Sequence, residues 1–187
     1  MKKHKYYSKQ GFTIIEVVLV LAIAGLIFLM VFIALPTLQR AQRNQSYKNN
    51  VALVAGAINN YKANNRGSLP PTTTRAHNDG YYPKRGNNDA FKEHPMYSYF
   101  EAINFTADVD SIKIFNENTD NFKFNNTWWA APSRIIVMEN MACPENNTFR
   151  TAVMRRSPGK IAVFTLLENG DNRHPSQADF PMYCSEI

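Results

Sequence analysis

Cysteine is scarce in this 187-residue chain: there are two, Cys143 and Cys184, with no C-x-x-C spacing. A four-thiolate zinc site is therefore excluded, and the pair can make at most one bridge, in a compartment that lets disulfides persist. Histidine is as thinly spread. His4, His77, His94 and His174 have no metal partner at i+3 or i+4, and no constellation points to catalysis or to a cofactor. Charge is low too, 19% of residues against about 25% in typical soluble domains, while the mean hydropathy stays negative at −0.37. Those two values exclude a multi-span membrane protein and a wholly disordered chain. Length allows one domain and an appended segment.

Acid is missing from the N-terminus, where Lys2, Lys3, Lys5 and Lys9 stand without a counter-charge. The formal net charge of +6 comes largely from there: without these four the count is 17 basic against 15 acidic, or +2. The basic balance belongs to one end and gives the body of the chain no nucleic-acid signature.

Polar side chains are then absent from Val17 to Leu35, VVLVLAIAGLIFLMVFIAL. Taken from Phe12, at about 1.5 Å of rise per residue, a helix through this run reaches roughly 36 Å, enough for a hydrocarbon core of about 30 Å. The lysines before it keep the N-terminus in the cytoplasm by the positive-inside rule. A cleaved secretory signal fits poorly, since Ala22-Ile23-Ala24 lies in mid-run with eleven apolar residues after it. Glu16 is the anomaly. A carboxylate costs about 2.5 to 3.5 kcal/mol at a bilayer centre and less at this depth, and a plain anchor has no use for one.

The stretch Lys9-Gln10-Gly11-Phe12-Thr13-Ile14-Ile15-Glu16 resembles the processing site of type IV pilins: a short basic leader ending in glycine, then phenylalanine, with glutamate fifth after the junction. Phe12-Thr13-Ile14-Ile15-Glu16 and Leu35-Pro36-Thr37-Leu38-Gln39-Arg40 are also similar to pilins of small epibiotic bacteria. The resemblance implies that a prepilin peptidase cuts between Gly11 and Phe12 and N-methylates the Phe12 amine. The cut removes the lysines and exposes an α-amine with a reference pKa near 8. A cation of that kind about 4 Å from Glu16, at an effective dielectric of 20, attracts it by roughly 4 kcal/mol, comparable with the burial cost. In the family the glutamate meets the amine of a neighbouring subunit in this way. Gly25 and Pro36 stand as helix-loosening positions, the latter about three residues later than in many pilins, and the interval between such residues often unravels in the family's filaments.

Beyond Pro36, Tyr47, Val51, Val54, Ile58 and Tyr61 recur at spacings of four and three, one face of a helix. Gly67 and Pro70-Pro71 predict its end near Asn64. Residues 70–88 read as a loop, 97–103 as a short helix, and 111–115, 134–139, 151–156 and 160–167 as strands, the last two joined as a hairpin by Ser157-Pro158-Gly159. The expected fold class is α+β: a long N-terminal helix, half membrane or filament core and half amphipathic, packed on a C-terminal antiparallel sheet. The expected divisions are leader 1–11, apolar helix 12–35, amphipathic helix 36–65 and head 66–187. Export would oxidise Cys143 and Cys184, and many pilins bridge a C-terminal segment with two cysteines.

The resemblance implies a pilus subunit rather than an enzyme, held in the cytoplasmic membrane before assembly and in an extracellular filament after it. Its partners would be copies of itself, the prepilin peptidase and the inner-membrane assembly machinery, with a host-cell surface or DNA as further contacts. A minor pilin, a secretion pseudopilin and a membrane-anchored binding module that never polymerises are the alternatives. Smaller features are a turn with oxygen ligands, Glu168-Asn169-Gly170-Asp171-Asn172, which is not an EF-hand loop; the pair Trp128-Trp129; the basic pairs Lys84-Arg85 and Arg155-Arg156; and sequons at Asn104, Asn125 and Asn146.

Overall fold

In the computed structural model the described residues are 11–73, 80–83, 89–106, 108–116, 120–123, 131–149, 151–170 and 179–187. They form two compact units, 1–39 and 40–187. Helix α1, Ile14–Asn64, supplies all the described helical residues of the first unit and the first element of the second.

Thr13 starts the helix. Its hydroxyl accepts the Glu16 N–H at 3.3 Å and its carbonyl accepts the Val17 N–H at 3.3 Å, which satisfies donors that the first turn otherwise leaves bare. Thr13-x-x-Glu16 is thus the capping-box spacing. At the other end Arg66 adopts φ 55° and the Gly67 N–H bonds back to the Lys62 carbonyl at 2.7 Å, a Schellman closure. The helix stops at Asn64, as its stop signals predict.

In the second unit α1 buries Val51, Val54, Ala55, Ile58 and Tyr61 against one face of a five-stranded sheet. Short helices α2, Asp89–Lys92, and α3, Tyr97–Glu101, add Phe91, Met96 and Phe100 to the same core. The strands are β1, Ser111–Asn116; β2, Asn121–Lys123; β3, Arg134–Met141; β4, Val153–Leu166; and β5, Met182–Glu186. Their order is β1-β3-β4-β2, with β5 also paired to β4. All pairings are antiparallel except β1 with β3, which run parallel. The free edge of β1 is covered by passing chain: Tyr81 exchanges hydrogen bonds with Ile112, and Thr73 bonds Ile114 through backbone and hydroxyl.

The sheet is buried on both faces. Ile135 and Val137 of β3 point to the helix side, while Ile136 and Met138 point to a second core with Phe149, Met154, Phe164, Phe180 and Met182. Cys143 and Cys184 pack against that second core and form a disulfide, with Cα atoms 5.8 Å apart and a sequence separation of 41.

The expected hairpin at Ser157-Pro158-Gly159 is not there. One strand runs from Val153 to Leu166, and both of its halves pair antiparallel to β3, Arg156 with Met141 and Ile161 with Glu139. The intervening residues make an irregular excursion, where Gly159 takes φ 82°, Asn140 takes φ 57°, and the Gly159 N–H bonds to the Asn140 side chain at 3.1 Å. A turn signal flanked by apolar runs fits a bulge as well as a reversal, and the long neighbour β3 favours the bulge here. Strands β2 and β5 escape the sequence reading because one has only three residues, Asn121-Phe122-Lys123, and the other lacks β-branched residues.

Removing the Cys143–Cys184 bridge should lower stability by roughly 4 kcal/mol on the chain-entropy estimate for such a loop. Equilibrium denaturation of Cys143→Ser/Cys184→Ser against the oxidised parent measures this, and equal midpoints would contradict it.

Candidate functional site

Gly11 and Phe12 precede the helix and are exposed, Phe12 to 85%. Glu16 sits in the first helical turn, where the unpaired N–H groups and the positive end of the helix dipole favour an acid. The Thr13-x-x-Glu16 spacing is the signal that sequence reasoning overlooked: the Thr13 hydroxyl accepts the Glu16 backbone N–H in the single chain. The junction and the glutamate thus lie within one turn of each other at the start of α1.

From Val17 to Leu35 every large apolar side chain is exposed, and the span is long and apolar enough to cross a membrane. No face is polar, so within the first unit this surface has no partner among the described residues. Gly25 and Pro36 both lie inside the uninterrupted helix. Pro36 has no N–H for the Phe32 carbonyl, and the Thr37 hydroxyl donates to the Ala34 carbonyl at 2.7 Å beside it.

Residues 7–32 match the family described as the prokaryotic N-terminal methylation motif. That match supports a type IV pilin-like N-terminus. No curated protein and no solved structure matches the chain. The motif covers only the end of the leader, the junction and most of the apolar run. It marks a structural, non-enzymatic class of protein, processed by a prepilin peptidase and anchored in a membrane before assembly.

The remaining candidates are mostly structural where they are described. Glu168 is engaged by Arg43, whose Nε and Nη2 bond its carboxylate at 2.7 to 3.0 Å, and Tyr47 adds a contact at 3.4 Å. Asn44 bonds the backbone N–H and carbonyl of the same residue at 2.8 and 2.9 Å. Hydrogen bonding from Arg43 holds the Glu168 carboxyl below its usual range. The turn after β4 is therefore clasped to α1, and its first oxygen ligand faces a guanidinium. Asp171 and Asn172 lie outside the described residues.

His94 stacks on Phe91, ring centroids 4.8 Å apart, and its Nε2 meets the Pro71 carbonyl at 2.9 Å. Arg155 pairs loosely with Glu145 at 3.5 Å on the surface, a contact of little energetic weight. The Asn146 side chain is engaged by Thr151 and by the Thr148 N–H. His4, His77, His174, Trp128, Trp129, Lys84, Arg85 and the sequon at Asn125 lie outside the described residues. No cluster able to hold a metal occurs among those that are described.

Among the described residues, Glu139 is the buried acid that sequence reasoning passed over. It is 3% exposed on β3, on the helix-side face with Ile135 and Val137, and its Oε1 has no hydrogen-bond partner among the described residues. Burial pushes its pKa up to about 7. A raised carboxyl pKa stabilises the fold fully below the unfolded value near 4.5 and loses that contribution as pH rises through about 7. Glu139→Gln should therefore gain on the parent across that interval, by up to about 3 kcal/mol, and keep that advantage unchanged at higher pH. Denaturant midpoints from pH 4 to 8 test this; parallel pH profiles would contradict it.

Proposed function

We propose that this protein is the structural subunit of a type IV pilus-like filament. The observation that carries the reading is the methylation motif set directly on a helix whose apolar circumference is bare. The prepilin inserts through residues 12–35 with its lysines on the cytoplasmic side, and the peptidase cuts between Gly11 and Phe12 and methylates the new amine. Loss of the lysines frees the chain to leave the membrane. Glu16 of an incoming subunit pairs with the Phe12 amine of one already in the filament, which offsets the cost of the carboxylate in an apolar setting and sets the register of the helices. The interval from Gly25 to Pro36 is the part of α1 able to loosen during this transfer, since Pro36 interrupts the hydrogen-bond ladder. Surface attachment, with twitching or DNA uptake driven by energy supplied elsewhere, follows from a filament that carries the 40–187 unit outward.

N-terminal analysis of sheared surface filaments should find a chain that begins at N-methyl-Phe12 and dominates the filament mass. A trace amount within filaments of another subunit would make it a minor component, and Met1 intact in the membrane fraction alone would make it an anchored binding module. Glu16→Ala should insert and be cleaved normally yet lower filament yield at least tenfold; undiminished piliation would contradict the charge pairing.

A further inference from the structure

Strand β2 and the first residues of β4 form a ribbon at one edge of the sheet, with Asn121 paired to Arg155 and Lys123 to Val153. Phe122 and Met154 belong to the second core, so alternation puts Asn121, Lys123, Val153 and Arg155 together on the opposite face. That face floors a groove of about 620 Å³, walled by Glu145 and Asn146 after β3 and by Thr151 before β4. No aromatic residue lines it.

The charges in the groove do not balance. Lys123 and Arg155 are diagonal neighbours across the ribbon, about 7 to 8 Å apart at the backbone, and two cations so placed repel each other. Glu145 reaches only Arg155, at 3.5 Å, with the two side chains 87% and 72% exposed, a pairing too weak and too solvated to hold the guanidinium. Lys123 is exposed and has no ion pair among the described residues. Asn146 is already set in place: it accepts the Thr148 N–H at 3.0 Å and donates to the Thr151 hydroxyl at 2.7 Å, which leaves one amide hydrogen uncommitted.

We propose that this groove binds a uronate, a sugar that carries a carboxylate, as part of an acidic polysaccharide. The sugar carboxylate bridges Lys123 and Arg155, whose planar fork of donors suits two oxygens. Glu145 accepts from the sugar hydroxyls, and the amides of Asn121 and Asn146 donate to them. DNA is the poorer fit, since its phosphates offer Glu145 no hydroxyl and the groove has no ring on which a base could stack. The site lies wholly within the 40–187 unit and does not depend on the filament reading.

Titration calorimetry on the purified full chain in detergent tests this with tetragalacturonate as the probe, against maltotetraose, inorganic phosphate and a short thymidine oligonucleotide. Lys123→Gln and Arg155→Gln, both at exposed positions, should each weaken tetragalacturonate at least fivefold and leave the thermal midpoint unchanged; should one of them shift the midpoint, the other decides. Glu145→Gln separates a sugar from a bare anion. It should strengthen phosphate at least threefold more than it strengthens tetragalacturonate, because the sugar loses an acceptor as the repulsion is relieved. No binding of tetragalacturonate, undiminished binding by a folded cation variant, or equal affinity for maltotetraose or the oligonucleotide overturns the inference. Equal strengthening of both anions by Glu145→Gln overturns it too, and marks a general anion patch. Each of these outcomes leaves the filament reading standing, and absence of the chain from surface filaments would leave this site standing.

Discussion

An apolar helix surface with nothing to cover it among the described residues of its own unit is the constraint on which the other features depend. The side chains from Val17 to Leu35 are exposed all round, and water cannot be their working solvent. Lipid meets the requirement first. On the filament reading proposed above, the basic leader holds the helix in that setting and the Gly11-Phe12 junction provides for its release. The division at Gln39 and Arg40 marks where dependence on an outside cover ends and a self-sufficient core begins.

That core is built around the two central strands. Strand β3 pairs with β1 on one side and β4 on the other, and alternate residues of β3 serve opposite faces. Burying both faces of a small sheet leaves little room for polar side chains, and Glu139, whose Oε1 has no partner among the described residues, raises the cost. Arg43, Asn44 and Tyr47 meet Glu168 at the first turns of α1 in this unit, so the helix is held by ionic and amide contacts there and by apolar packing from Val51 onward.

The parts of the fold that depend on periodicity are legible in the sequence. The apolar run, the face formed by Val51, Val54, Ile58 and Tyr61, the stop after Asn64, and strands β1 and β3 each follow from local pattern. The pilin-like signal at the N-terminus is legible for a different reason: a peptidase reads residue types at fixed spacing, so the chemistry is linear. What was not legible depends on partners distant in sequence. The parallel pairing of β1 with β3, the continuity of β4 through Pro158, the short β5 and the clasp at Glu168 are set by what lies alongside. The burial of Glu139 is of the same kind, since a glutamate near the end of a strand reads as solvent-facing.

The disulfide between Cys143 and Cys184 closes a loop that contains β4 and most of the second core, with β5 at its end. A protease that cuts any peptide bond inside this loop leaves two pieces still joined through sulfur. Strand β5 then stays hydrogen-bonded in its place on β4 and is not shed, so nicking alone would not dismantle the unit.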